Sequence, residues 1–477
     1  MMRAACASRL RSVVLTVLGV GVLGAADAAA QTLADRARGL PPQFKADVLI
    51  RIADSGKMRS SRVVSDLLEE AFYAAEGAEE PVKLDLTGGD RFGMRDYIRA
   101  RSFASGLDRM SLQTRALRLL AVVDLKKARE LAGSLSLRLP PLKCEDPLAY
   151  NLEDVYKNLT VYASALPDVD RFALVQRYLT TMTSPSQVDP LAQLLVNLAV
   201  PKDERIQLAQ SFVAELGRVD GDDRAFTAVI ERERMPAHIK DFIESLRRQA
   251  YDPGVLVTAF RGYLVRHFNG RRCADGVDAP DLRVTQWFND DLRLMTTSDV
   301  KPIDYDDYRG RRGGARAVAH EMDASGAEYL ALTRELAASL PVPRQRVIVV
   351  NGTAPDVRTP ERLVSDVAVW QGRGERSQSD FLYKKATMLQ RLLTETLPPL
   401  LHEFVLNELA GFLSYAWQGV DRQIEWFLQV NTLLDYGRRA GKGEQVKVLK
   451  ALELSPNGIM STYGALERFA PLRLIKE

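Results

Sequence analysis

Residues 112–135 read LQTRALRLLAVVDLKKARELAGSL, and this stretch decides the fold class. Leu112, Ala116, Leu119, Leu120 and Val123 follow the i, i+4, i+7, i+8, i+11 spacing of one helix face. After Asp124 the pattern restarts as Leu125, Ala128, Leu131, Ala132 and Leu135. A helix with one apolar stripe buries only that face, so two such helices in series must pack on one another or on neighbours.

The same period recurs along the chain. Leu191, Leu194, Leu195 and Leu198 form one stripe, and Leu401, Phe404, Val405, Leu409, Phe412 and Leu413 form another. Asp146-Pro147, Asp189-Pro190 and Asp252-Pro253 each read as an N-cap acceptor followed by a proline in the first helical turn, as do Ser184-Pro185 and Thr359-Pro360. Leu40-Pro41-Pro42, Leu139-Pro140-Pro141 and Leu397-Pro398-Pro399 read as a helix stop and a fresh start. Strand signals are confined to a weak alternation over Val82 to Thr87 and the run Val347-Ile348-Val349-Val350, too little for a sheet-based fold. The expected class is all-α, with α-solenoid-like stacked helical hairpins followed by a second helical domain.

In size, the stripe pair Leu112 to Leu135 resembles a tetratricopeptide-type or HEAT-type hairpin. The resemblance is to the architecture and extends over about residues 42 to 268; the consensus Trp, Gly, Tyr and Pro of the 34-residue repeat do not recur at that spacing. It implies stacked hairpins and no particular activity.

The N-terminus reads as an export signal. Arg3, Arg9 and Arg11 precede the apolar run Val13 to Gly24, and Ala28-Ala29-Ala30 supplies a small-residue cleavage site before Gln31. The expected domains are a signal peptide at 1–30, a solenoid-like N-terminal domain at 31–268, an irregular segment at 269–316 and a C-terminal helical domain at 317–477. The expected location is periplasmic or extracellular. The match to G-x-G-x-x-G at Gly19 to Gly24 lies inside the apolar core of the signal and carries no dinucleotide-binding meaning. Removing residues 1–30, with three arginines and one aspartate, leaves 62 basic and 61 acidic side chains. That balance argues against nucleic-acid binding through phosphate neutralisation. No stretch after the signal has the 18 consecutive apolar residues of a membrane span.

After cleavage two cysteines remain, Cys144 and Cys273. They are candidates for a disulfide in an oxidising compartment, and neither has a His or a second Cys at metal-ligand spacing. The four histidines, His238, His267, His320 and His402, include no pair at i, i+3 or i+4, so no metal or other cofactor is expected. Gly441-Lys442-Gly443 lacks the rest of a phosphate-binding loop and reads as a flexible linker.

The informative features lie in the irregular segment. Arg309, Arg311, Arg312 and Arg316 are interleaved with glycines, a cationic loop suited to phosphate, anionic lipid or an acidic partner. Trp287, Tyr305 and Tyr308 lie near Asp290, Asp291 and Asp299 and are candidates for an aromatic and acidic binding surface. Stacked hairpins present extended surfaces without needing catalytic groups, so the expectation is a binding or scaffold protein with a protein or peptide partner. The alternative is an exported hydrolase or lyase acting on envelope polymers through carboxylates in the interdomain cleft.

Overall fold

The computed structural model describes residues 27–79, 81–83, 105–140, 148–221, 225–226, 236–270, 278–304, 307, 360–371, 378–395, 397–419 and 423–471. Among these residues the chain is all-α, with eighteen α-helices; the one extended pairing is Val82 opposite Ala149 and Lys83 opposite Leu148. Contacts divide the chain into two compact units, residues 60–319 and residues 1–59 with 320–477.

The first unit holds α3 (Ser61–Ala74), α4 (Arg109–Val123), α5 (Leu125–Ala132), α6 (Leu152–Ser164), α7 (Asp168–Thr180), α8 (Val188–Asn197), α9 (Lys202–Leu216), α10 (Ala237–Arg248), α11 (Gly254–Asn269) and α12 (Asp278–Trp287). The stripe pair Leu112 to Leu135 becomes α4 and α5. Leu112, Ala116 and Leu120 are buried, as are Ala128, Leu131 and Ala132. Asp124 makes the break by accepting from the Lys127 amide at 3.1 Å, which caps α5 one residue after α4 ends.

From α4 onward the helices pack in two alternating layers. The first runs α4 on α6, α6 on α8 and α8 on α10; the second runs α7 on α9 and α9 on α11. Helices adjacent in sequence also touch, α4 with α5, α6 with α7 and α8 with α9, so each hairpin bridges the layers. This is the stacked-hairpin arrangement expected from the sequence, in which burial comes from next-but-one neighbours.

Arginines at the turns hold the stack. At the start of α7, the Arg171 guanidinium donates to the carbonyls of Ala163 at 3.2 Å and Leu166 at 2.8 Å, closing the end of α6. Arg205, in the first turn of α9, donates to Leu195 at 3.0 Å and Leu198 at 2.8 Å, closing the end of α8. Pro201 and Arg205 repeat Pro167 and Arg171 at a step of 34 residues. A cation at a helix C-terminus satisfies carbonyls that have no intrahelical partner and complements the negative end of the dipole. Arg205 is buried. Arg205→Ala is expected to lower stability by about 2 kcal/mol, because two buried carbonyls lose a charged donor. Arg205→Lys should recover only part of this, since one ammonium lacks the two-pronged geometry. Urea denaturation of both variants checks the prediction, and a wild-type midpoint for the alanine variant would refute it.

The second unit joins the helices before residue 59 to those from residue 360 onward. It holds α1 (27–38), α2 (Pro42–Asp54), α13 (Pro360–Val369), α14 (Gln378–Leu393), α15 (Pro399–Ala416), α16 (Gln423–Ala440), α17 (Lys442–Glu453) and α18 (Gly458–Phe469). Helices α14 and α15, α16 and α17, and α17 and α18 pack as consecutive pairs. The sequence groups residues 31–59 with the helices that follow them, but α2 packs on α18. The cause is a shared aromatic core. The Phe44 ring lies 5.0 Å from Phe427 of α16, and Phe427 lies 4.3 Å from Tyr463 of α18.

Two proline marks are realised, with Pro42 and Pro399 opening α2 and α15. Of the two described aspartates before proline, one departs from the expected local cap. Asp189 is already inside α8 and caps α10, while Asp252 accepts from the Gly254 amide that opens α11 at 3.3 Å and also ties down residues 296–298. Asp146 and Thr359 lie outside the described residues. Gly441 is a one-residue connection between α16 and α17 at φ +103, not a flexible linker; the left-handed region there favours glycine.

Candidate functional site

Most of the residues singled out from sequence lie outside the described residues. These are Arg309, Arg311, Arg312, Arg316, Tyr305, Tyr308, Cys144, Cys273 and His320. Trp287 ends α12, half-buried, with its ring edge-on to Phe260 of α11 at 6.3 Å. Asp290, Asp291 and Asp299 are exposed. Beyond Trp287 the helix widens into a π turn, Phe288–Leu292. Asn289 in that turn clamps Ile303 by two hydrogen bonds, donating to its carbonyl at 2.9 Å and accepting from its amide at 2.8 Å. Arg261 of α11 reaches the same strand of chain, donating to the Pro302 carbonyl and to Asp307 at 2.6 Å. The π turn and Arg261 therefore anchor Pro302, Ile303 and Asp307 beside α11.

The described histidines have separate surroundings. His267 is buried, its Nδ1 2.8 Å from the Tyr263 carbonyl and its ring against Tyr263 and Phe226; burial holds its pKa below the ordinary value. His402 of α15 has Nε2 2.7 Å from the Tyr436 hydroxyl of α16 and Nδ1 3.8 Å from Glu444 of α17. His238 opens α10 beside Asp189. No group of three or more His, Cys, Asp or Glu capable of holding a metal ion occurs among the described residues.

Two open cavities lie in the first unit. One, of about 400 Å³, is lined by Ser61, Arg62, Ser65, Asp66, Asp124 and Lys127. Two of its polar groups engage each other, and a third pairs with Glu69 beside the cavity. Ser65 donates to Asp124 at 3.3 Å, and Lys127 pairs with Glu69 at 2.6 Å, a contact that raises the Lys127 pKa. The other, of about 410 Å³, is a mainly apolar groove bordered by Val213 of α9 and by Val255, Thr258 and Ala259 of α11.

The buried charges serve packing. Lys385 of α14 donates to the Ala368 carbonyl at 2.6 Å and the Trp370 carbonyl at 3.3 Å, closing the end of α13, with its ammonium 5.1 Å from the Phe412 ring. The buried carboxylates are likewise engaged. Asp47 accepts from the Tyr463 hydroxyl, Asp108 caps α4 through Ser111, Glu215 pairs with Arg218, and Glu467 lies between Arg51 and Arg438. The sequence held no local sign of the last cluster, whose members are drawn from α2, α16 and α18.

No protein-family model matches the chain, and no significant match to a curated protein was found. Among the described residues no helix is long and apolar enough to cross a membrane.

Proposed function

We propose that this is an exported helical binding or scaffold protein whose partner is a protein or peptide. The observation that carries the reading is the alternation of two helical layers from α4 to α11. A stack of this kind exposes the outer face of each layer as a continuous surface, on which side chains from successive hairpins meet an extended partner. Export is supported by the basic start, apolar run and Ala28-Ala29-Ala30 site of the first thirty residues. The rival hydrolase reading needs a convergent pair of buried acids beside Trp287. Its acidic neighbours Asp290 and Asp291 are exposed, and the buried carboxylates among the described residues are engaged in helix packing.

The Arg309, Arg311, Arg312 and Arg316 cluster is the proposed point of charge recognition, beside the layered surface in sequence. The test is recovery of partners by the mature protein from its native envelope, with the quadruple alanine variant in parallel. Specific proteins retained by the wild type and lost from the variant are expected. Equal recovery by both removes the arginines from the reading, and recovery of no specific protein by either removes the binding function itself.

A further inference from the structure

We infer that the mature chain carries a pyroglutamyl lactam at Gln31, formed from that residue's own side chain after the signal is removed. The inference rests on the export reading, which places the cut between Ala30 and Gln31. Helix α1 runs over residues 27–38, and the cut falls after its first turn. The remainder stays docked: Leu33, Ala34 and Ala37 are buried, and Arg36 donates to Ser461 of α18 at 3.0 Å. Ala30 is also buried, so the cut gives up one methyl contact while those that seat the helix persist.

Gln31 lies on the exposed face of α1, open to solvent and to a cyclising enzyme. Its amide donates to Asp35 at 3.0 Å, and Asp35 is also held by Arg38 at 2.6 Å, so the carboxylate keeps a partner when the amide is consumed. After cleavage the new α-amino group stands at the positive end of the helix dipole. A protonated amine is disfavoured there, which enriches the neutral form, the nucleophile for ring closure. The nitrogen attacks Cδ of its own carboxamide and a C–N bond closes a five-membered ring. The original carboxamide C–N bond breaks, and its nitrogen leaves as ammonia, carrying the proton given up by the amine. No oxidant, water or metal is consumed. The product is an uncharged helix start, free of the repulsion between ammonium and dipole and closed to aminopeptidases that require a free amine.

The full chain, expressed with its own signal and purified from the exported fraction, is digested and its N-terminal peptide sequenced by tandem mass spectrometry. The expected peptide begins at residue 31 and is lighter by one ammonia, about 17 Da, than a glutamine-initiated peptide, because ring closure expels that ammonia as it removes the terminal charge. It should resist stepwise amino-terminal degradation until treated with pyroglutamyl aminopeptidase. A peptide beginning at residue 31 with full mass and a free amine overturns the lactam and leaves export standing. A peptide beginning elsewhere, at Met1 or Asp27 for example, overturns the cleavage reading and with it the lactam.

Discussion

Glu467→Ala is expected to destabilise the second unit, which joins α1 and α2 to α13–α18, by about 3–5 kcal/mol, the loss typical of breaking a buried ion cluster from one side. The Glu467 carboxylate is fully buried and accepts from Arg51 of α2 at 2.9 Å and from Arg438 of α16 at 2.8 Å. Both arginines are themselves largely buried. Arg51 lies over the Tyr463 ring, and that tyrosine donates to Asp47, so the cluster joins α2, α16 and α18. Without Glu467 the two desolvated guanidinium groups lose the anion they share, although Arg438 keeps its pair with Asp435 of α16, and their mutual repulsion is no longer offset between them. Glu467→Gln keeps the shape but not the charge and should fall between the alanine variant and the wild type. Replacing Arg51, Glu467 and Arg438 together by apolar residues of similar volume should recover part of the loss, because the fully buried charges are then gone and Asp435, which also pairs with Arg438, is part-exposed. Tryptophan fluorescence reads this unit, since Trp370, Trp417 and Trp426 all belong to it and Trp426 is fully buried, its indole N–H donating to the Leu413 carbonyl. An unchanged urea midpoint for Glu467→Ala would mean that the aromatic contacts alone hold α2 in place.

Legibility in the sequence followed distance along the chain. The stripes around Asp124 and the prolines at 42 and 399 were readable because a helix and its start are decided within one or two turns. The pairing of Arg51 with Glu467 spans 416 residues, and neither partner stands out from the acids and bases around it. The membership of α2 in the C-terminal unit was hidden for that reason. Arg171 and Arg205 were legible in principle. Each stands four residues after a proline that precedes a helix, at a step of 34, but the signal is a cap at the hairpin turn, not a consensus aromatic or glycine. Local sequence makes Asp189 a cap for its own helix, whereas its carboxylate caps a helix that starts almost fifty residues later. The candidate site divides in the same way: Trp287 could be placed against Phe260, and the arginine cluster rests on its composition.

Asp189 yields a pH dependence of defined sign. Its carboxylate accepts from the amides of His238 at 3.0 Å and Ile239 at 3.2 Å, capping α10 from α8 and so joining two neighbours in one layer. Burial pushes its pKa up to about 6; the His238 side chain and the two amides oppose the shift, and Glu153 of α6 adds to it. A carboxyl whose folded pKa lies above its unfolded value binds more protons folded than unfolded. Stability from this group is therefore greatest below the unfolded value near 4 and falls as pH rises through about 6. At pH 7.5 the ionised group is a net penalty, on the order of 2 kcal/mol after allowance for its partial exposure. Asp189→Asn retains an oxygen acceptor for the two amides and carries no charge, so it is expected to be more stable than wild type at pH 7.5, with the gain vanishing towards pH 4.5. Asp189→Ala loses the cap and should be less stable than the asparagine variant at both pH values, by about 1 kcal/mol. Hydrogen exchange at the His238 and Ile239 amides resolves the local effect, since protection there reports the cap directly. Protection lower in the asparagine variant than in wild type at neutral pH would show that the charge strengthens the cap by more than burial opposes it, and would reverse the sign argued for this joint.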